Sequence, residues 1–337
     1  MKRVIVLANI GTPDSPTPAD VGVYLRQFLM DRDVIPFPFP LRWLLVNALI
    51  VPRRRHTSSA LYKKIWSERG SPLRYLSQDL AREMQNNLPI ANSVEVAMRY
   101  GSPSIEEVLL KVKDAEYIDV VPMFPQYAGA TTGSIKKECL RIGAELGITN
   151  KISFVPEFYA EDFYIDSLVE KILPVHESID HLLFSFHGLP EKLIAQQNVE
   201  HCLRKSNCCD NISQANSKCY RAQCFATTAR VAGRLKLSQD KYSISFQSRL
   251  GRGEWIKPYT EDSVRELARK GVARLGIVCP AFLIDCLETL EEIAIGMREV
   301  FLQEGGKELV FIPCLNADPQ WNRRFSEWIN HGTSSRS

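Results

Sequence analysis

The sequence of 337 residues lacks several patterns that mark whole classes of protein. No apolar stretch reaches the roughly 18 residues that a transmembrane helix needs. The apolar run at residues 4–8 is short, and Gly11 and Pro13 come soon after it without a small-residue cleavage site, so we expect a first β-strand there and not a signal peptide. The net charge is only +3, with no arginine-rich helix and no zinc-finger spacing, which argues against nucleic-acid binding.

What is present is typical of a globular chain with two domains. Apolar residues make up 45% of the chain and charged residues 24%, as in ordinary soluble domains. The length exceeds what one hydrophobic core usually supports. We therefore predict two domains, 1–157 and 158–337, with a break near residues 157–162.

Short apolar runs alternate with stretches of helical period along the chain. The predicted strands are 3–8, 93–98, 117–122, 151–155, 181–186, 242–247, 274–279 and 308–312. The predicted helices include 72–87, 104–113, 134–146, 164–173, 263–270, 284–304 and 318–329. Such alternation favours parallel sheets with right-handed crossovers. We therefore predict an α/β fold of two doubly wound halves.

The stretch from His181 onward carries the strongest chemical signal. Apolar residues 182–186 lead into His187, which is followed by Gly188 and Pro190, so a buried parallel strand would present an imidazole at its carboxyl end. Open α/β sheets bind their ligands at such strand ends. His187 is therefore the first candidate for catalysis, although a single histidine is more often structural.

Five cysteines crowd into the segment that follows, at Cys202, Cys208, Cys209, Cys219 and Cys224. A total of nine cysteines, an odd number, without an export signal predicts a cytoplasmic protein, in whose reducing environment thiols bind metals more often than they form disulfides. The spacing is not the two-plus-two pattern of a zinc ribbon. It predicts a zinc or an iron–sulfur site and does not decide between them.

Carboxylates follow the predicted strand 274–279. On a helix with a period of 3.6 residues, Asp285, Glu288 and Glu292 share one face, directed away from the core. Such a stripe is usually a solvated helix face. Because like charges repel, it also suits a site that binds a divalent cation or passes protons. Both interpretations stay open on the residues alone.

Other predicted strand ends combine aromatic, apolar and small residues. The loop 246–260 contains Trp255, which suits a flat aromatic ligand, and its glycine spacing matches no phosphate-binding motif. In the first half, Ile10, Tyr127 and the pair Arg99-Tyr100 occupy similar corners. Together these corners predict a cleft between the domains for a large and mostly apolar ligand.

One segment, residues 34–51, departs from the alternation. Prolines prevent a long helix or strand at its start, and a strongly apolar stretch then precedes Arg53-Arg54-Arg55. Two interpretations stand. In the first, an apolar flap with its basic cluster, residues 34–55, rests on the inner face of the cytoplasmic membrane as a peripheral contact. In the second, a helix packs in the core with the arginines at its C-terminal end, where the helix dipole favours them.

Taken together, these corners closely resemble the ferrochelatases, the enzymes that insert ferrous iron into a porphyrin as the last step of protohaem synthesis. The matching stretches are 7–13, 24–33, 70–72, 99–100, 124–134, 184–190, 246–260 and 285–292. The resemblance implies two Rossmann-like domains, with the active site in the interdomain cleft. It also implies that residues 34–51 match the apolar lip through which some members touch a membrane.

The resemblance further implies roles for individual residues. His187 matches the active-site histidine of the family and Glu288 its essential glutamate, while Glu292 and Asp285 match an acidic path beside them. We expect His187 to accept pyrrole protons and Glu288 to coordinate the incoming iron; the reverse division is also compatible, and both could ligate the metal transiently. The porphyrin-contacting positions are Ile10, Arg99, Tyr100, Tyr127 and Trp255.

The cysteines resemble those of a bacterial subgroup with an internal cysteine-rich insertion, whereas animal members carry cluster ligands in a C-terminal extension. The resemblance implies a [2Fe–2S] cluster on Cys202, Cys208, Cys209 and Cys219. Cys224 is the alternative ligand, because a cysteine at that point also occurs in members thought to lack a cluster.

The predicted function is therefore a lyase-type metal chelatase that inserts ferrous iron into protoporphyrin IX. One alternative keeps the chemistry and changes the substrate, as in a coproporphyrin ferrochelatase or a cobalt chelatase. A second alternative is a non-catalytic haem or iron–sulfur sensor on the same fold. The enzyme is favoured over the sensor because His187 and Glu288 are both present.

Overall fold

The computed structural model describes residues 3–89, 92–197, 207–249 and 253–334. Its β-strands are Arg3–Gly11 (β1), Asn92–Tyr100 (β2), Tyr117–Pro122 (β3), Ile152–Phe154 (β4), His181–His187 (β5), Tyr242–Gln247 (β6), Arg274–Val278 (β7) and Glu308–Ile312 (β8). The predicted strands are all confirmed, and β3, β6 and β8 have the predicted bounds.

The helices lie between these strands. The α-helices are Pro18–Leu29, Phe39–Leu44, Val51–Ile65, Pro72–Asn87, Ile105–Val112, Ser134–Glu145, Asp162–His176, Glu191–Gln197, Tyr220–Arg234, Thr260–Arg269, Arg298–Gln303 and Pro319–Ser334. The π-helices are Leu45–Ile50, Gly129–Gly133 and Glu288–Met297, and short 3₁₀ turns occur at Thr149–Lys151 and Gln239–Lys241. The predicted α-helix over 284–304 is thus only partly correct, because its centre has i→i+5 hydrogen bonding.

Each half of the chain builds one four-stranded parallel sheet. The strand orders are β2-β1-β3-β4 and β6-β5-β7-β8, so both sheets place their first strand between the second and the third. All ladders in both sheets are parallel. The predicted α/β fold, with a parallel sheet and covering helices in each half, is confirmed.

The central strand of each sheet is buried, which explains its continuous apolar sequence. Residues 4–8 of β1 and 182–186 of β5 are each at most 1% exposed. Burial contributes about 1.5–3 kcal/mol for each large aliphatic or aromatic side chain. The carboxyl ends of β1 and β5 are therefore firmly placed, and the loops that follow them start from fixed positions.

The chain divides into two compact units. The first comprises Met1–Met123, Gly129–Pro156 and the segment from Asn316 onward, and the second comprises Phe124–Ala128 and Glu157–Leu315. The division near residue 157 lies where the predicted domains 1–157 and 158–337 meet. The helix Pro319–Ser334 nevertheless belongs to the first unit, because Arg3 donates to the Ile329 carbonyl and Asn322 donates to the Leu80 carbonyl, each at 3.2 Å.

Within the apolar lip, residues 34–51, a continuous helical run begins at Phe39 and extends to Ile65. Phe39 is 62% exposed, Trp43 51% and Leu44 53%. The basic cluster that follows lies near the beginning of the helix Val51–Ile65 and not at its end. The interpretation as a core helix with C-terminal arginines is therefore wrong, because six large apolar side chains of residues 34–51 are exposed, although Val46 and Val51 are buried. Within the described ranges, no helix is both long enough and apolar enough to cross a membrane.

Candidate active site

His187 is the last residue of β5, where β6 holds the strand end in register. Its Nδ1 lies 2.6 Å from the carbonyl oxygen of Gly188. Because a carbonyl oxygen can only accept, this contact assigns the hydrogen of the neutral imidazole to Nδ1 and leaves the lone pair on Nε2. The Tyr220 hydroxyl donates to the His187 carbonyl at 2.8 Å. His187 is thus a half-buried imidazole whose Nδ1 is held at the Gly188 carbonyl.

The loop after His187 packs against the loop that contains Trp255. The Ile256 amide donates to the Leu189 carbonyl at 3.0 Å, and a short bridge pairs Pro190 with Trp255. The structure therefore brings the predicted catalytic histidine and the predicted porphyrin-stacking tryptophan to one edge of the second sheet.

The acids of the predicted stripe have different surroundings. Asp285 is only 4% exposed, and its carboxylate accepts from the Thr289 hydroxyl at 2.9 Å and from the Cys314 amide at 3.3 Å. The prediction that all three acids point away from the core is therefore wrong for Asp285. Glu288 and Glu292 are half-buried and lie in the π-helix Glu288–Met297.

Glu292 is held by the residue that follows β6. The Ser248 amide donates to Oε1 at 2.7 Å, and the Ser248 hydroxyl donates to Oε2 at 2.5 Å. Burial raises the pKa of the Glu292 carboxyl above its ordinary value, although the hydrogen bonds from Ser248 and the nearby His187 oppose this. A carboxyl whose pKa is raised and whose charge interacts with an imidazole is suited to proton transfer.

In the first unit, Ile10, Arg99 and Tyr100 lie at the carboxyl ends of β1 and β2. Arg99 donates through Nη2 to Asp31 and through Nε to the Ser134 hydroxyl, both at 2.8 Å. The Tyr100 hydroxyl donates to Asp31 at 2.7 Å, and Tyr100 is 3% exposed. Burial, together with the Asp31 charge, raises the pKa of Tyr100 well above its usual value. Arg99 and Tyr100, both predicted to contact the porphyrin, are thus hydrogen-bonded to the same carboxylate, that of Asp31.

Tyr127 belongs to the segment Phe124–Ala128 of the second unit. Its backbone amide donates to the Gln223 side-chain oxygen at 2.6 Å, and its side chain is half-buried. The side-chain amide of the neighbouring Gln126 donates through Nε2 to the Thr227 hydroxyl at 3.0 Å. Helix Tyr220–Arg234 therefore fixes the position of Tyr127.

Among the predicted cluster ligands, Cys202 lies outside the described residues. The Sγ atoms of Cys208 and Cys209 are 3.8 Å apart. A hydrogen bond with Cys219, together with burial, raises the pKa of the Cys209 thiol, and Arg221 donates to its sulfur at 3.2 Å. These three thiols therefore lie close together, although no set of three metal-ligating side chains with metal-site geometry occurs in the described part of the chain.

Cys224 has a different environment. It is 0% exposed on the helix Tyr220–Arg234, burial raises its pKa well above the usual value, and it exchanges a hydrogen bond with Tyr220. Cys224 is therefore packed in the core.

Sequence reasoning missed several polar residues that hold these groups, namely Asp31, Ser134, Gln247 and Ser248. Gln247 ends β6 beside His187 and donates to the Glu288 carbonyl at 2.8 Å. Its place at the end of a strand was the same signal that identified His187. Asp31 had no comparable signal, because it lies 68 residues before Arg99 in the chain.

The fold is similar to that of two solved structures. The structure is similar to SirB from Bacillus subtilis with Fe³⁺, with a TM-score of 0.51 and 11% identity over 100% of this chain and 98% of that chain. It is also similar to the sirohydrochlorin chelatase SirB from Bacillus subtilis subspecies spizizenii in complex with cobalt, with a TM-score of 0.55 and 9% identity over 99% and 97%. Identities this low show a shared fold alone.

The sequence comparisons define the family. The profile of the Ferrochelatase family matches residues 2–333. The chain is 42% identical to the ferrochelatase of Bdellovibrio bacteriovorus over 333 residues, covering 97% of this chain and 98% of that protein. It is 45% identical to the ferrochelatase of Pseudomonas fluorescens strain Pf0-1 over 325 residues, covering 95% of each. The chain belongs to the ferrochelatase family and is a metal-inserting lyase.

Proposed function

We propose that the protein inserts ferrous iron into protoporphyrin IX and releases two protons, giving protohaem. Iron is a substrate in this reaction. The observation that carries the proposal is the contact of His187 Nδ1 with the Gly188 carbonyl, which in the neutral ring places the hydrogen on Nδ1 and leaves the lone pair on Nε2. The charge of His187 also acts on the Glu292 carboxyl. Metal insertion needs such a base, because the porphyrin holds two N–H protons that must leave as the dication enters.

We assign the removal of pyrrole protons to His187. A neutral imidazole is a general base near neutral pH. Once protonated, the ring is stabilised by the negative charge of Glu292, which is held in place by both Ser248 contacts. This arrangement allows protons to pass from the porphyrin to His187 and then towards the acids of the π-helix.

We assign delivery of the iron to Glu288, with Glu292 beside it. Carboxylate oxygens suit a hard or borderline divalent ion such as Fe²⁺. The Asp285 carboxylate is instead used internally by Thr289 and Cys314, so we assign it to fixing the turn that precedes Glu288. The proposed acidic path thus contains two carboxylates from the π-helix.

We propose porphyrin-contacting residues in each unit, taken separately. In the second unit, Trp255 offers an aromatic face beside the His187 loop, and Tyr127 is fixed by its helix. In the first unit, Ile10 is apolar and half-exposed, and Arg99 retains Nη1 without a hydrogen bond to any described residue. That nitrogen is suited to a porphyrin carboxylate. A site that favours a buckled ring would stabilise the transition state, because buckling exposes the nitrogen lone pairs.

Turnover with two porphyrins and two metals tests this function. We expect the highest kcat/KM with protoporphyrin IX and ferrous iron, measured anaerobically from the appearance of the haem spectrum. A tenfold preference for coproporphyrin, or for cobalt, would establish the corresponding alternative. Absence of insertion with every pair, together with tight haem binding, would establish the sensor.

We also propose a [2Fe–2S] cluster on Cys202, Cys208, Cys209 and Cys219. The proposal is supported by the proximity of the last three thiols and by the Arg221 guanidinium, which would offset the negative charge of a thiolate-bound cluster. When bound, such a cluster supplies a one-electron redox group. None of the proton or iron transfers above involves it.

Finally, we propose a cytoplasmic protein that touches the inner face of the membrane through the apolar lip and basic cluster, residues 34–55. Phe39, Trp43 and Leu44 are each more than half exposed, and Arg53 and Arg55 are exposed on the adjoining helix. Apolar side chains that enter the interface and arginines that bind anionic headgroups act together in such contacts.

A further inference from the structure

Gln247 touches the elements that carry both proposed catalytic groups. It is 3% exposed at the end of β6, in register with His187, and its backbone carbonyl accepts from the Gly188 amide at 2.8 Å. Its side-chain oxygen accepts from the Ser185 hydroxyl at 2.7 Å, two residues before His187. Its side-chain nitrogen donates to the carbonyl of Glu288 at 2.8 Å.

These contacts use the two ends of the amide for different purposes. The oxygen end is bound to the His187 strand, and the Cys279 thiol, just after β7, adds a weaker contact at 3.7 Å. The nitrogen end is bound to the first residue of the π-helix. We propose that Gln247 is a positioning residue that fixes the Glu288 turn relative to His187, so that proton removal and iron delivery occur at one place. This inference rests on the proposed roles of those two residues.

The side-chain chemistry at this position is narrowly determined. Only an amide of this length accepts from a hydroxyl at one end and donates to a carbonyl at the other. A glutamate would place an oxygen against the Glu288 carbonyl, and its charge would lie close to the carboxylates of the π-helix. A methionine would fill the same volume without either hydrogen bond.

The test compares Gln247→Met, Gln247→Glu and the surface control Gln239→Glu, which makes the same nitrogen-to-oxygen exchange on an exposed residue. We expect Gln247→Met to lower kcat for iron insertion about 10- to 100-fold, as displacements near 1 Å do at reacting centres. The KM for porphyrin should stay within about twofold, since Gln247 has no assigned contact with the ring. Gln247→Glu should be slower still, and Gln239→Glu should match the wild type.

A double-mutant cycle separates positioning from general stability. If Gln247 acts through Glu288, adding Gln247→Met to Glu288→Gln should lower kcat no further. Multiplicative losses, an unchanged kcat in Gln247→Met, or a raised porphyrin KM at constant kcat would overturn the inference. Should Gln247→Met fail to fold, Ser185→Ala, which releases the other end of the amide, should lower kcat about threefold at constant porphyrin KM. An unchanged kcat in that variant would equally overturn the inference.

The wild-type assay and two further variants distinguish this inference from the proposed function. If the wild type inserts iron while His187→Ala and Glu288→Gln each lower kcat about a hundredfold or more, the assigned roles hold, and an unaffected Gln247→Met then refutes the positioning role alone. If His187→Ala or Glu288→Gln keeps the wild-type kcat, the assigned role fails before Gln247 is considered.

Discussion

The indole of Trp255 lies against the backbone of Gly188. A Cβ at Gly188 would be 3.3 Å from Cε3 of Trp255 and 2.6 Å from the carbonyl oxygen of Gln247. Both distances are too short for an alanine unless the loop moves. This contact holds the loop after His187 against the loop that contains Trp255.

Gly188→Ala should therefore reduce both stability and turnover. We expect the free energy of unfolding to fall by about 1–3 kcal/mol, because the new methyl group displaces the backbone of a tightly packed loop. Gly253→Ala is the matched control, since its Cβ would meet nothing within 4 Å. Urea unfolding and iron-insertion assays on both variants measure the effect. Equal stability and turnover in Gly188→Ala and wild type would contradict the packing argument.

His187→Ala should abolish iron insertion while porphyrin still binds. Loss of a general base lowers kcat by about 10²- to 10⁴-fold, whereas the apolar and aromatic contacts with the ring remain. Fluorescence titration of protoporphyrin IX measures binding alongside turnover. His176→Ala, at the end of the helix Asp162–His176, serves as the control. Retained turnover in His187→Ala would remove this residue from the mechanism.

Asp31→Asn should destabilise the protein in a pH-dependent manner. Burial alone would raise the pKa of Asp31, but hydrogen bonds from Ser134 and Tyr100 and the charge of Arg99 hold it below its ordinary value. The ionised carboxylate therefore stabilises the folded state above the unfolded-state pKa of about 4, and this stabilisation is lost as the pH falls through the lower folded pKa.

The free energy of unfolding of Asp31→Asn at pH 7 should accordingly be lower than that of wild type by about 1–3 kcal/mol. The difference should shrink as the pH drops below about 4. Urea unfolding at several pH values measures it. Asp79→Asn breaks a more exposed pair with Arg69 and should cost less than about 1 kcal/mol. A difference for Asp31→Asn that stays constant down to low pH would exclude its charge as the cause.

Cysteine substitutions should separate cluster ligands from core thiols. Cys209→Ser and Cys219→Ser should remove the visible absorbance and the iron of the purified protein, because each deletes a proposed thiolate ligand. Cys224→Ser and the buried first-unit control Cys139→Ser should keep both. A colourless wild-type protein without iron above background would refute the cluster, and loss of iron in Cys224→Ser would make that residue a ligand.

Trp43→Ser combined with Phe39→Ser should weaken binding to vesicles of anionic lipid at least tenfold, since both side chains would lose burial in the interface. Leu302→Ser, which changes an exposed apolar residue of the second unit, should have no effect. Co-sedimentation measures binding, and its change between two salt concentrations reports the electrostatic part of that binding, to which Arg53 and Arg55 would contribute. Equal sedimentation of all variants would leave the lip without a membrane role.

The strands were predictable because buried parallel strands are mostly apolar, as 182–186 of β5 illustrates with Ser185 as its one polar residue. The π-helix Glu288–Met297 was not, because a 3.6-residue period was assumed and no sequence pattern separates i→i+4 from i→i+5 bonding over so short a stretch. The same assumption placed Asp285 on a solvent-facing stripe with Glu288 and Glu292. Asp285 is instead buried, where its carboxylate accepts from the amide of Cys314, 29 residues later in the chain.

Among the candidate site residues, His187 was identifiable because its neighbours predict a strand that ends there. Gln247 ends a strand as well, yet an amide has no distinctive chemistry in a sequence, and its importance lies in contacts to Ser185 and Glu288. Asp31 reaches Arg99 only through the folded chain. The groups to which we assign the chemistry were thus visible in the sequence, whereas the groups that hold them depend on tertiary structure.

The helix Pro319–Ser334 has a consequence for how the chain folds during synthesis. It supplies contacts to Arg3, Leu80 and Asn87 of the first unit, so that unit lacks one of its helices while the ribosome is still translating the second. Domains made first usually finish folding first. Here the second unit, nearly all of it between Glu157 and Leu315, is synthesised before the helix Pro319–Ser334 that completes the first unit.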